Sequence, residues 1–254
     1  MEENKMLKVT IDGSEYAYPY GTPYKIIAAD FQTRYPSDIL LVNRDGKLCE
    51  LHKVLDRDCS LKMITAQTKP GMQTYERSAV FLMLKAFYDV AGWENVERIT
   101  AEYSVSNALF ILARGNFNLD QTLLDKVEKR MRELAAQALP IEKRSISTDD
   151  AIDLFRKSRL VHKAKLLSFR IDSHVNVYTL DGFTDYFYGY MAPDTSYIKC
   201  FGLELFENGF VLRLPVRSAP NQLGEFRPSR KLFHALSASA RLSEALNASN
   251  VAEL

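Results

Sequence analysis

Three cysteines in 254 residues are too few, and too far apart, for a disulfide framework. Cys49, Cys59 and Cys200 match no zinc-ligand spacing and read as unpaired thiols of a reducing cytoplasm. A long apolar run is also missing. Nothing approaches the roughly 18 residues that a membrane span needs, so no membrane partner is expected. The stretch Met1-Glu-Glu-Asn-Lys5 is acidic and has no apolar core, so a secretory signal is not expected there. Nor does charge of one sign dominate. With 33 Lys and Arg against 32 Asp and Glu, the net charge is +1. No global field draws nucleic acid or lipid, although a local basic patch stays open.

Nucleotide-handling signatures are absent too. The sole Gly-Lys pair, Gly46-Lys47, is followed by Leu48 and lacks the glycine five residues earlier that a phosphate cradle requires. It reads as a turn between strands. No Gly-x-Gly-x-x-Gly and no serine nucleophile elbow occur. His52, His162, His174 and His234 are scattered, and form no metal motif.

What is present is an ordinary soluble composition, 46% hydrophobic and 26% charged, long enough for one large or two smaller domains. Leu7–Ile11 alternates with period two into Asp12-Gly13, a hairpin turn, with Ser14–Tyr18 returning. Thr22-Pro23 predicts an N-cap and first helical residue, with the helix stopping before Pro36. Strands are predicted at Ile39–Val42, Leu48–Leu51 and Leu61–Ile64. Residues 66–71 read as a polar turn and domain boundary. An all-round apolar helix is predicted from Tyr75 to Val90, then one strand over Tyr103–Leu112, and an amphipathic helix over Asp120–Ala138. Ser147-Thr-Asp-Asp150 predicts a further helix start, Val175–Leu180 a strand, and Asn208-Gly209 a hairpin. A helix is expected from Arg227 to about Ala248, leading outward. The expected division is residues 1–67, 68–226 and a linker helix over 227–254.

The most informative stretch is Asp185-Tyr-Phe-Tyr-Gly-Tyr-Met-Ala-Pro-Asp-Thr-Ser-Tyr-Ile-Lys199. Asp185, Gly189, Pro193, Thr195, Ile198 and Lys199 keep a frame that resembles the threonyl-tRNA synthetase editing domain. In that family the frame carries a Cys and a His as metal ligands; Phe187 and Met191 stand there instead. The family's helical His-x-x-x-His corresponds to Arg77-Ser-Ala-Val-Phe81. The resemblance therefore implies an α+β chain: a β-grasp, ubiquitin-like TGS domain, then an editing-like domain whose zinc site is degenerate. No metal and no catalytic residue are expected. Apolar packing of Phe81, Phe187 and Met191 is expected to replace the ligands, with Arg77 paired to Asp185. Arg77, Phe81, Lys163, Asp185, Phe187, Tyr188 and Met191 are the candidate binding residues of the former cleft.

A second resemblance runs through Tyr35–Val42, Gly46–Leu51, Thr74–Ser78, Asp185–Met191 and Arg230–Phe233. These segments are similar to the N-terminal region of bacterial nucleoside kinases of the uridine kinase type. That resemblance implies a fragment whose partner is a kinase domain lying beyond Leu254, with ATP and Mg serving that domain and no cofactor here. Three roles follow: a regulatory module binding a small molecule or nucleotide, an RNA-binding module, or a metal-independent editing enzyme with Asp185 as acid or base. Tyr186, Phe187, Tyr188 and Tyr190 read as strand-and-turn core before base-stacking platform. Arg156, Lys157, Arg159, Lys163 and Lys165 read as a solvated helix face.

Overall fold

The computed structural model of the protein describes residues 5–231, 233, 235, 237 and 238. These residues fold as α+β, with three separate sheets among them. Strand β1 (Met6–Ile11) buries Leu7, Val9 and Ile11 on one face, as its alternation dictates. Asp12 and Gly13, at φ 50° and 81°, turn it into β2 (Ser14–Pro19). Helix α1 (Tyr24–Phe31) lays Tyr24, Ile27 and Phe31 on this sheet. Strands β3 (Ile39–Arg44), β4 (Lys47–Glu50) and β5 (Cys59–Thr65) complete the order β2-β1-β5-β3-β4, with β1 and β5 parallel. This is the β-grasp arrangement. Thr22 does not cap α1: its hydroxyl donates to the Pro19 carbonyl at 2.7 Å, and Pro23 takes the N-cap position.

Helix α2 (Lys69–Ala91) begins six residues before the expected Tyr75. Thr68 caps it by accepting from the Gly71 N–H at 3.2 Å, and Pro70 needs no donor in the first turn. Half of the polar segment 66–71 is therefore helix, not turn. Residues 103–112 are not one strand. They are the inner ends of a hairpin, β6 (Val96–Val105) and β7 (Ala108–Gly115), folded at Ser106, which sits at φ 56°. Helix α3 (Gln121–Ala136), capped by Asp120, turns Leu124, Val127, Met131 and Leu134 onto α2. Next come β8 (Glu142–Ser147), α4 (Thr148–Lys157), α5 (Val161–Ser168), β9 (His174–Leu180) and β10 (Phe183–Tyr186). The last hairpin is β11 (Gly202–Phe206) and β12 (Gly209–Arg213). Its turn is Glu207-Asn208, one residue earlier than expected, and Gly209 belongs to the strand, paired with Phe206.

Two sheets, β10-β9-β8 and β11-β12-β7-β6, share one core built around α2. Leu40, Leu41 and Ile64 of the β-grasp join that core, and Tyr197 packs on both hydrophobic clusters. Salt bridges from Lys25 to Asp194 (2.6 Å) and from Lys199 to Asp38 (2.7 Å) run along the same seam. The described residues among 230–238 are helical, and Phe233 is buried against Val105, Phe110 and Val211. The start of the C-terminal helix thus docks on the domain. Its expected continuation to Ala248 lies outside the described residues.

Gly71, Gly115 and Gly209 mark close backbone approaches. A Cβ on Gly71 would lie 2.0 Å from the Thr65 carbonyl oxygen, and one on Gly209 would lie 2.4 Å from that of Ile111. Gly71→Ala and Gly209→Ala are each expected to cost about 1–3 kcal/mol by overpacking. Urea unfolding measures this; unchanged midpoints would refute both approaches.

Candidate functional site

The segments that carry the ligand frame do meet. Helix α2 supplies Arg77, Ser78 and Phe81; β10 supplies Asp185; the loop that follows supplies Phe187 through Met191. The loop is held against the helix by the backbone. Ser78, wholly buried, accepts from the Ala192 N–H at 2.8 Å while donating to the Thr74 carbonyl. Arg77 Nε donates to the Tyr190 carbonyl at 3.0 Å. Gly189 sits at φ 122° with the Arg77 guanidinium 2.7 Å from where its Cβ would be, so only glycine fits beneath that side chain.

Where the family frame has metal ligands, the space is filled. Phe81 has no exposed surface, and its ring lies 5.4 Å from Phe183 and 5.3 Å, edge-on, from Phe187. Met191 is 2% exposed in the same core. Phe81 and Phe187 offer no lone pair, and Arg77 is a fixed cation, so the residues present do not fit a metal. Among the described residues no group of three or more His, Cys, Asp or Glu is arranged to hold one.

Arg77 does not pair with Asp185. Asp185 is 1% exposed and is held by Lys163, whose ammonium lies 2.5 Å from its carboxylate and 5.8 Å from the Phe187 ring. Burial pushes the Asp185 carboxyl above the usual range, and the Lys163 charge opposes that shift. Lys163 reaches Asp185 from α5, whereas the Arg77 guanidinium is engaged by the Tyr190 carbonyl. Burial lowers the Arg77 pKa, and Tyr178, Glu76 and Glu50 are the groups that offset it.

The group that completes the site comes from the other domain. Glu50, at the end of β4, is 1% exposed. Its carboxylate accepts from Tyr178 Oη at 2.9 Å, from the Met191 N–H at 3.0 Å and from Lys143 Nζ at 2.8 Å. The Tyr178 Oη also lies 2.7 Å from the Gly189 carbonyl oxygen, so its single proton is shared between these two acceptors. Burial, then the Glu50 charge, raises the Tyr178 pKa, which keeps the phenol a donor at neutral pH. Sequence reasoning placed Glu50 within a motif but gave it no role, and it missed Lys143, Tyr178 and Ser78. A lone glutamate closing an apolar strand was the one available signal. Tyr188, by contrast, is 82% exposed and takes no part in the packing; it is not core.

Phe81→Ala is expected to cost about 3–5 kcal/mol in denaturant unfolding. Lys163→Met and Asp185→Leu should each destabilise by about 3–5 kcal/mol, because each leaves a buried charge or an unpaired cation, and the double change should cost less than either. A neutral Phe81→Ala, or strictly additive Lys163 and Asp185 changes, would refute the packed-site description. A pH effect is expected from His162. Its Nε2 is buried with no hydrogen-bond partner among the described residues, and burial, then Lys163 and Arg98, lower its pKa from 6.5 to about 4. The unfolded chain therefore binds the proton first as pH falls. The stability contributed by the neutral ring is present above about 6.5 and is lost progressively down to about 4. Unfolding midpoints for the native chain and His162→Gln should converge as pH falls through this window; parallel curves would rule the effect out.

No family model matches the chain. It is similar to threonine–tRNA ligases: 28% identical over 202 residues to that of Azobacteroides pseudotrichonymphae, covering 78% of this chain and 31% of the relative. The Porphyromonas gingivalis ligase is 27% identical over 201 residues, and that of Burkholderia vietnamiensis 29% over 193, each covering 30% of the relative. The chain thus spans about a third of the length of the curated relatives it matches. This similarity supports the threonyl-tRNA synthetase resemblance over most of the chain, and these relatives lend none to a nucleoside kinase parent.

Proposed function

We propose that this chain is a non-hydrolysing, RNA-binding region related to the corresponding part of threonine–tRNA ligases. The observation that carries the reading is the filled ligand frame: Phe81 and Met191 are buried where the family has metal ligands, and Glu50 is locked beside them. Relatedness to ligases that act on tRNA supplies the partner class. Metal-independent editing is disfavoured because Asp185, the matched acid or base, is enclosed and clamped by Lys163. A group that delivers or takes a proton must reach the reacting atom, and this one faces a lysine and protein.

A second reading is a regulatory module ahead of a nucleoside kinase, with ATP and Mg belonging to the missing kinase domain. It rests on the ordered motifs at 35–42, 46–51, 74–78, 185–191 and 230–233. A coding sequence continuing past Leu254 into a phosphate-binding loop would favour it.

Incubation with mischarged tRNA tests the first reading. The expected outcome is salt-dependent retention of the tRNA with deacylation no faster than in buffer. Deacylation that survives dialysis against a chelator would overturn it in favour of metal-independent editing. Absence of any tRNA binding would overturn the RNA-binding half.

A further inference from the structure

The cleft is closed, so an RNA partner needs another surface, and residues 154–171 provide one. These 18 residues hold six Lys and Arg, plus His162, and no Asp or Glu, whereas the rest of the chain has 27 Lys and Arg against 32 Asp and Glu. They form the end of α4, all of α5 and the turn beyond. Lys157 and Arg159 have no acidic partner among the described residues, and both are exposed. The face is also aromatic. Phe169 is 44% exposed and Tyr188 is 82% exposed. The two parts are tied together: Arg170 lies over the Tyr186 ring, centroid 5.5 Å away, and Lys163 lies over Phe187, the neighbour of Tyr188.

The strongest observation concerns the backbone at Arg159. Helix α4 ends in a Schellman motif: the Leu160 N–H donates to the Phe155 carbonyl at 2.8 Å and the Arg159 N–H to the Arg156 carbonyl at 3.1 Å. Leu160, 3% exposed, supplies the apolar contact of that motif. The residue at its left-handed position is normally glycine, because a Cβ is disfavoured there. Here it is Arg159, at φ 59°. A cation is thus held, against backbone preference, at the tip of this acid-free basic run. Strain retained where glycine would relieve it points to a use for the side chain.

We propose that the α4–α5 face, centred on Arg159 with Tyr188 at its edge, binds single-stranded RNA. Lys157 and Arg159 meet phosphates, and Tyr188 stacks on a base. Exposed rings together with exposed cations are the chemistry of single-strand recognition, in which bases stack and the backbone follows the positive charge. Here Lys157 and Arg159 supply the cations, while Lys163 and Arg170, which carry the ring contacts, are paired with Asp185 and Asp172. This proposal rests on the RNA-binding reading above but assigns a surface to it.

The test uses the full chain and a short fluorescein-labelled single-stranded RNA, followed by anisotropy over a salt series. Arg159→Gly is the decisive variant. It relieves the left-handed position, so its urea midpoint should rise, while RNA affinity falls and the salt slope shrinks by roughly one. Stability and binding then move in opposite directions, which a merely structural arginine does not produce. Tyr188→Ala should lower affinity by about fivefold or more with the salt slope unchanged. Unchanged RNA affinity in Arg159→Gly and Tyr188→Ala would overturn the surface. If mischarged or free tRNA is still bound equally by both variants, the surface fails while the RNA-binding reading stands. If the native chain binds neither RNA, both fall. Binding to phosphatidylserine vesicles with no RNA binding would make the face a membrane surface and overturn the proposal.

Discussion

One buried carboxylate organises this molecule. Glu50 is carried by the edge strand of the β-grasp, yet all its hydrogen-bond donors belong to the second domain. Removing a charge from water costs several kcal/mol, so it persists only where donors meet it fully. Here an ammonium, a phenol and a backbone N–H do so. Each donor is itself fixed: Lys143 by β8, Tyr178 by β9, and the Met191 N–H by the loop that Ser78 and Arg77 pin to α2. Domain orientation, loop conformation and the closed cleft are therefore set together.

In the family frame, a metal would join α2 to the loop through shared ligands. The chain achieves the same joining with weaker, more numerous contacts. Phe81 meets Phe183 and Phe187, Ser78 takes a loop N–H, and Lys163 clamps Asp185 from α5. Buried apolar surface supplies the bulk of the stabilisation. The ion pairs contribute register more than net energy, because each repays a desolvation cost. At this place in the fold, packing rather than coordination holds α2 and the loop together.

Much of the fold was legible in the sequence, because it depends on local patterns. The β1–β2 hairpin was written in alternation and an Asp-Gly turn, α3 in its apolar stripe, and the packed contact between α2 and the loop in Phe81, Phe187 and Met191. What failed was long-range or set by backbone conformation. Ser106 enters the left-handed region without a Gly or Asn-Gly marker, so the β6–β7 fold-back was invisible. Gly209 looked like a turn residue but is demanded by the Ile111 carbonyl across the sheet. Arg77 was assigned to Asp185 because sequence frames carry no direction. The competing Lys163 comes from α5, an element that periodicity did not reveal. Glu50 lies 141 residues from Met191, and nothing local announces such a partnership.

The contact between Gly189 and Arg77 bears on how freely this site can be changed. Glycine at 189 is needed because the guanidinium crowds it, and the guanidinium is anchored by the very loop that Gly189 shapes. A histidine placed at 77 alone would vacate that space while Phe81 still filled the cleft and Glu50 still gripped the loop. Metal ligands introduced one at a time would each meet neighbours packed for the residues now present. Building a metal site at this place would therefore take several coordinated changes at once.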